Sequence, residues 1–508
     1  MRPLWAGRRP IPFQAREQTP RRKTKTTSEA VITSRRIVGS WALFDWANSA
    51  FPTLVVTFVY GPFFTLAFAP NGDVGTSWWS RGVSLSALIV AVSSPILGAL
   101  ADRGGSRRRD LILTTLGCIA ATSVLAFVSP GNERAAVLAL TVFVVANVCF
   151  EVAMVYYNAF LPAIAPPERI GRISGYGWAL GYAGGMACLL LALIGFVGFN
   201  GDPWLPLSQA NGFNVRATNL LVAGWFLLFS LPMFLWVRDA RPGTPGIHLR
   251  AALSDLAGTF RGIRQYGEVA KLLVARMIYN DGVVTIFSFA AIYAAGTFGL
   301  TMGEMVAFAI VLQLSAGLGA FVFGSFDDRL GGKATVLTSL AAMSLGVIVA
   351  VLGTSRIWLW VAGLLIAVFA GPNQSASRSL MGRFVPPDQQ TEFFGFYALS
   401  GKATAFLGPL LLGVLTSAYG QRVGVGSVLA FFAVGALIMA FVDEEQGIAQ
   451  ARVRRRGTRL ESGQGRSLWR PADAAAGVIV KSVIPRNRRR PHLDDSALAN
   501  RSRAVYVI

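Results

Sequence analysis

Long apolar runs recur along this chain, each near the roughly 20 residues a helix needs to cross about 30 Å of hydrocarbon. Read between charged or Gly/Pro-rich breaks, twelve runs fall near 38–68, 80–101, 111–129, 135–164, 174–197, 218–237, 271–298, 302–326, 334–353, 357–384, 393–419 and 424–442. In lipid every backbone N–H and C=O must find its partner within the segment or a closed barrel, and runs of this length select helices. The expected fold is therefore an all-α membrane protein with twelve transmembrane helices. The first, fourth and tenth runs are long, which predicts tilted or interrupted helices there. Composition agrees. Of 508 residues, 53% are hydrophobic and 14% charged, against about 25% charged in a soluble domain.

A net charge of +21 in a soluble chain would suggest nucleic acid. Here the positions of the cations matter more than their sum. With the N-terminus inside, the tails, the central linker and the short loops "DRGGSRRR", "PPERIGR", "DDRLGGK" and "SRSLMGR" hold about 40 of the 47 Lys and Arg residues, as the positive-inside rule requires. Both termini are expected in the cytoplasm, and the membrane is the inner one if the chain is bacterial. Residues 1–37 and 443–508 read as disordered basic tails drawn to anionic headgroups; no nucleic-acid partner is expected. Cys118, Cys149 and Cys188 lie in apolar segments without paired spacing, and His248 and His492 stand apart. No disulfide, metal site or cofactor is expected. The N-terminus lacks the apolar core of a cleaved signal. No GxxxxGK[ST] loop and no nucleophile–base set is present, which argues against an enzyme. A monomer is expected.

The chain also repeats itself. "GALADRGGSRRR" (98–109) aligns with "GSFDDRLGGKAT" (324–335), matching Gly98 with Gly324, Asp102–Arg103 with Asp328–Arg329, and Arg107 with Lys333. "APPERIGRISGYG" (165–177) aligns with "VPPDQQTEFFGFY" (385–397). Each pair occupies the same loop of a six-span half. The chain thus divides into a first bundle over 38–237, a linker over 238–270 and a second bundle over 271–442. These are two six-helix, pseudo-symmetric bundles related by an axis along the membrane normal.

A glycine, an Asp-Arg pair and further basic residues between the second and third spans of each half resemble the signature loop of the major facilitator superfamily. The acid of such a loop can sit against a neighbouring helix N-terminus or pair with a cation, latching one face. Four further stretches, "WALFDWANSAF", "YYNAFLPAI", "GRISGYGWALGYAGG" and "QSASRSLMGRFVPPDQQTEFFGFY", are similar to the vacuole-effluxer-like branch of that superfamily, related to fungal vacuolar amino-acid effluxers. The similarity covers about 38–442 and neither tail. It departs at Pro372–Asn373, where the family has small residues. The resemblance implies a twelve-helix transporter exporting amino acids or other small solutes.

Polar residues at membrane depth cost at least a few kcal/mol and normally face a cavity or a partner. Asp45 and Asn48 share a face of the first span. Asn147, Glu151 and Asn158 form a stripe on the fourth. Arg276 and Asn280 lie four apart on the seventh, with Asp281 beside them. Asn373, Gln374 and Arg378 lie on the tenth, and Lys402 on the eleventh. Spans one, four, seven and ten line the central cavity in the duplicated architecture, so these twelve residues are the candidate solute-binding and coupling set. For Asp45 a fixed pairing with Arg276 or Lys402 stands beside a coupling role. Glu151 and Asp45 are the candidate proton carriers. Pro52 and Pro372 are candidate hinges.

The expected function is secondary transport of a small solute by alternating access, with amino-acid efflux as the family-implied case and protons as the candidate coupling ion. Broad drug efflux and a non-transporting receptor or scaffold of the same fold remain the alternatives.

Overall fold

Ser34 opens the first membrane helix: its side-chain oxygen accepts the Ile37 N–H at 3.3 Å, an N-cap ahead of an apolar run. In the computed structural model of the chain, residues 34–104, 107–198, 203–239, 249–261 and 263–461 are described. They form α1 (Arg35–Ala67), α2 (Gly72–Gly104), α3 (Arg107–Leu125), α4 (Glu133–Ile164), α5 (Pro167–Val197) and α6 (Ala210–Trp236). After a linker helix at Leu249–Arg261 come α7 (Gly267–Phe298), α8 (Met302–Leu330), α9 (Gly332–Leu352), α10 (Arg356–Phe384), α11 (Gln390–Tyr419) and α12 (Gln421–Ala440). Eleven of these are long and apolar enough to cross a membrane. The exception is α3, whose 19 residues reach about 28 Å but begin with three arginines and Asp110.

Local chemistry sets the ends. Asn132 caps α4 by accepting the Ala135 N–H at 2.9 Å. Thr301 and Glu304 form a reciprocal capping box at the start of α8. Gly299, at φ 65°, ends α7 in the left-handed conformation that glycine adopts without a Cβ clash.

Two of the interrupted spans bear on the site. α1 is α-helical to Asn48, widens to a π-helix over Phe51–Phe58 and resumes at Tyr60; Pro52, which lacks an N–H, stands at the change. α11 stops at Lys402 and restarts at Leu407. Pro409 accounts for the gap, because its ring would clash with the carbonyl four residues earlier. By contrast α4 and α10, expected to be tilted or interrupted, run unbroken through Pro162 and Pro372.

Buried apolar side chains form two cores. One draws on α1 to α6, from Trp41 to Val237. The other runs from Val269 to Val442 and adds Val155 and Ala159 of α4. Large apolar residues such as Leu88, Val92, Leu113, Leu231, Leu345 and Leu437 remain exposed, the surface a bilayer would cover.

The tail expected to be disordered from 443 requires correction: Glu444–Glu461 is helical. Glu444 and Glu445 stand in its first turn, where acidic groups stabilise the helix dipole. Residues 1–33, most of the N-terminal tail, and 462–508 lie outside the described residues, as do 240–248 of the linker.

Candidate functional site

Twelve crossings bring the start of α1 and the end of α12 to one side, here called the terminal face. The two repeated loops meet the opposite half there, each in the same way. The Asp102 carboxylate, at the end of α2, accepts the N–H groups of Thr391 and Glu392 at 3.1 and 2.8 Å. Asp328, at the end of α8, accepts those of Gly171 and Arg172 at 2.8 and 3.2 Å. Each acid therefore caps the first turn of a helix in the other half, α11 or α5, where unpaired donors and the helix dipole favour a negative charge. The glycines one turn earlier allow the approach. A Cβ on Gly98 would stand 2.3 Å from the Thr391 carbonyl oxygen, and one on Gly324 would stand 3.1 Å from that of Gly171.

The loops differ beyond these residues. Arg107 bonds Asp102 at 2.6 Å and Gln390 of the other half at 2.6 Å, whereas the matched Lys333 sends its ammonium to the Ala440 carbonyl. Arg103 and Arg329 are exposed. Carboxylates that follow each half also cap its third helix. Asp239 accepts the Arg108 N–H, and Glu444 accepts those of Gly332 and Lys333 at 3.0 and 2.9 Å. Burial pushes the Asp239 carboxyl above its usual range, opposed by that N–H bond and by the charges of Arg107 and Arg108. Arg383 joins the second-half cluster, with Asp327 at 2.7 Å and Glu444 at 3.3 Å.

Deeper in, Arg378 of α10 crosses to the first half. Its guanidinium meets Asp45 at 3.1 Å, the Ser174 hydroxyl at 3.0 Å, the Ser174 carbonyl at 2.7 Å and Asn158 at 3.3 Å. The rings of Trp41, Trp178 and Tyr157 lie 4.9, 5.5 and 5.8 Å away. Trp41 stacks on Tyr157 at 4.7 Å and donates its indole N–H to the Tyr157 carbonyl. Asn48 donates to the second Asp45 oxygen at 3.2 Å. The guanidinium is thus charge-paired, hydrogen-bonded and faced by aromatic rings, a set that a lysine could not satisfy. The side chains of Arg378 and Asp45 retain 2% and 7% exposure.

At mid-depth a second pair joins the halves. Lys402, twelve residues into α11, donates to Glu151 of α4 at 2.7 Å, and their side chains keep 31% and 21% exposure. Both lie about 18–20 Å from the terminal ends of their helices. Around the gap in α11, α7 supplies a run of contacts. Arg276 donates to the Tyr397 carbonyl and to Ser400, both at 2.9 Å, and stacks on the Tyr397 ring at 3.7 Å. Asn280 donates to the Gly401 carbonyl at 3.4 Å and accepts from Gln374 at 3.1 Å. Asp281 accepts the Gly408 N–H, 3.2 Å from each oxygen.

The candidate residues thus separate into groups. Asp45, Asn158 and Arg378 meet at the inner gate with Asn48. Glu151 and Lys402 form the mid-depth pair, and Arg276, Asn280, Asp281 and Gln374 gather around the α11 gap. Two stand outside this pattern. Asn147 donates to Ser86 of its own half at 2.7 Å, and Asn373 is fully buried with neither amide atom bonded. The pairing suggested for Asp45 with Arg276 or Lys402 is also corrected, since both cations have other partners. Ser174, Trp41 and Trp178 are not among the sequence candidates, and Tyr157 reads from sequence as a packing or interfacial residue. Ser174 and Trp178 lie in "GRISGYGWALGYAGG", whose dense small residues beside tryptophan are the available signal.

A family model described as "Vacuole effluxer Atg22 like" matches residues 75–452. The MFS-type transporter YxiO of Bacillus subtilis (strain 168) is 29% identical over 411 residues, 80% of this chain and 94% of that one. Autophagy-related protein 22-1 of Aspergillus fumigatus is 24% identical over 308 residues, 54% of this chain and 48% of its own length. Among solved structures, the human organic anion transporter MFSD10 superposes with a TM-score of 0.66 at 14% identity, over 80% of this chain and 99% of that one. The proton:xylose symporter XylE gives 0.64 at 13%, over 83% and 98%. At these identities the structural likeness establishes the fold alone: the twelve-helix major facilitator fold.

Proposed function

The chain belongs to the vacuole effluxer Atg22-like family, and we propose that it carries a small zwitterionic solute of the amino-acid type by alternating access. It is an integral multi-pass membrane protein of the major facilitator type, and not an enzyme. The observation that carries the finer reading is the Glu151–Lys402 pair, opposite charges from opposite halves, part-exposed at mid-depth. A solute bearing one ammonium and one carboxylate replaces that pair charge for charge. Its ammonium takes Glu151, its carboxylate takes Lys402, and neither side chain is left uncompensated, the costly outcome for a desolvated ion. A singly charged solute strands one partner, and an uncharged one that parts the pair strands both. Asn280 and Gln374 nearby suit the solute's remaining polar groups.

Carrier action also needs a face that closes. Asp102, Asp328 and the Asp45–Arg378 pair all join the halves on the terminal side. The Lys/Arg bias makes that side cytoplasmic, so the proposed state is closed toward the cytoplasm. In a bacterial cell the chain would reside in the inner membrane, as a monomer, with its basic tails on anionic headgroups. Broad drug efflux fits less well, because the mid-depth groups are charged and amide side chains rather than an aromatic lining.

Proteoliposome counterflow tests the proposal. Vesicles loaded with unlabelled neutral α-amino acids should draw labelled solute in above its equilibrium level, and Lys402→Gln and Glu151→Gln should each abolish this. Saturable binding without counterflow would favour a receptor instead.

A further inference from the structure

Asp281 differs from the other carboxylates of the central region in what neutralises it. Asp45 has Arg378, and Glu151 has Lys402. Asp281 is 1% exposed, and the group its carboxylate binds is neutral: the Gly408 N–H, shared between both oxygens at 3.2 Å. Among the described residues no cationic side chain lies within ion-pair distance of it. The nearest charged groups on the surrounding elements are committed elsewhere. Arg276, on α7 itself, holds the Tyr397 carbonyl and Ser400. Lys402, on α11, holds Glu151. From α12 the neighbours of Gly282 are the apolar rings of Phe431 and Phe432. From α10 comes the uncharged Gln374, bonded to Asn280.

The Gly408 N–H belongs to the first turn of Leu407–Tyr419, the second segment of α11. That segment is loosely held. Leu410, Val414 and Tyr419 are exposed, and the apolar window of α11 is the least buried of the eleven spans. Its start is fixed to α7 by Asp281, at Gly408, and by Thr404, which donates to the Met277 carbonyl at 2.9 Å. The chain of the gap beside it is exposed at Ala403 and Phe406.

From this geometry we infer that Asp281 is a proton-binding site, and that proton loading there releases the outer segment of α11 from α7. The inference rests on the transport reading for its purpose, though not for its chemistry. A hydronium ion reaching Asp281 through the α11 gap gives its proton to one carboxylate oxygen, and water leaves. The Gly408 N–H then faces a neutral acid rather than an anion, and the charge–dipole attraction that held the segment is lost. Protonating Asp45 or Glu151 would instead strand Arg378 or Lys402 as an unpaired cation. Asp281, bonded to the chain just beyond the α11 gap, is thus a third candidate proton carrier beside Asp45 and Glu151.

Infrared difference spectroscopy of the purified full chain between acid and alkaline buffer needs no solute. A protonated-carboxyl band should appear at acid pH, shift when aspartate alone is carbon-13 labelled, and vanish in Asp281→Asn while persisting in Glu151→Gln. A band that survives Asp281→Asn, or shifts only with labelled glutamate, overturns the inference. Should Asp281→Asn fail to fold, the labelling arm on the wild-type chain still decides between aspartate and glutamate, and Asp281→Glu must move the band to the glutamate label. In proteoliposomes Asp281→Asn should lose pH-gradient-driven amino-acid accumulation by tenfold or more, while Asp281→Glu, which keeps a titratable carboxyl, should retain it. Accumulation driven by sodium and indifferent to pH would also overturn it. Absence of all flux in wild type would count against the transport reading alone, leaving the spectroscopic result intact.

Discussion

The guanidinium of Arg378 stands 3.1 Å from the Asp45 carboxylate, an ion pair that joins α10 to α1 across the two halves and is almost wholly shielded from solvent. Around it Ser174 supplies both a hydroxyl and a carbonyl. Breaking one side of such a pair leaves a bare buried charge, at a cost of about 3–5 kcal/mol. Arg378→Ala and Asp45→Asn are each expected to lower the thermal unfolding midpoint and to speed maleimide labelling of an engineered terminal-face cysteine. The double variant should be less impaired than the sum of the singles, a coupling that a double-mutant cycle measures directly. Arg378→Lys should not rescue, because ammonium cannot fill the fork of acceptors.

The two loop glycines are expected to respond unequally. A methyl on Gly98 would press on backbone 2.3 Å away, whereas one on Gly324 meets its nearest neighbour at 3.1 Å. Gly98→Ala should therefore shift the protein toward a terminal-open form far more than Gly324→Ala. Maleimide labelling at an engineered terminal-face cysteine reads the difference. Equal labelling of the two variants would contradict it.

Asp102→Asn and Asp328→Asn remove the charge from two helix N-terminal caps while keeping an acceptor. Each should weaken closure by about 1–2 kcal/mol, seen as faster terminal-face labelling. Because the two caps lie in separate places and share no partner, the effects should add within about 0.5 kcal/mol.

The spans were legible because the length of an apolar run and the bilayer thickness fix one another. The loop repeat was legible too, down to the matched pairs Gly98 with Gly324 and Asp102 with Asp328. Partner choice was not. Sequence spacing puts Asp45 on a face of α1, yet it says nothing of how α10 is rotated, and that rotation selects Arg378 over Arg276 or Lys402. The gap in α11 is not among the sequence expectations although Pro409 signals it, since a proline inside a span reads equally well as a simple kink. Asn147 shows the opposite failure. It lies four residues before Glu151, which lies seven before Asn158, and these spacings suggested one shared stripe, but the amide turns to Ser86 of α2.

The mid-depth pair separates stability from transport. Lys402 and Glu151 are partly exposed, so Lys402→Gln should cost less stability than breaking the shielded Arg378–Asp45 pair. Counterflow of neutral α-amino acids should nonetheless fall by tenfold or more. A variant with the charges exchanged, Glu151→Lys with Lys402→Glu, should recover stability before flux, because the solute would meet its two charges in reversed order.

Spin labels at the exposed positions Glu168 on the first half and Arg329 on the second report the terminal face directly. Measured in lipid nanodiscs with and without a neutral amino acid mixture, their separation should show two populations, short and long, whose ratio changes with solute. A single short distance, unmoved by solute at any concentration that binds, would contradict alternating access in this protein.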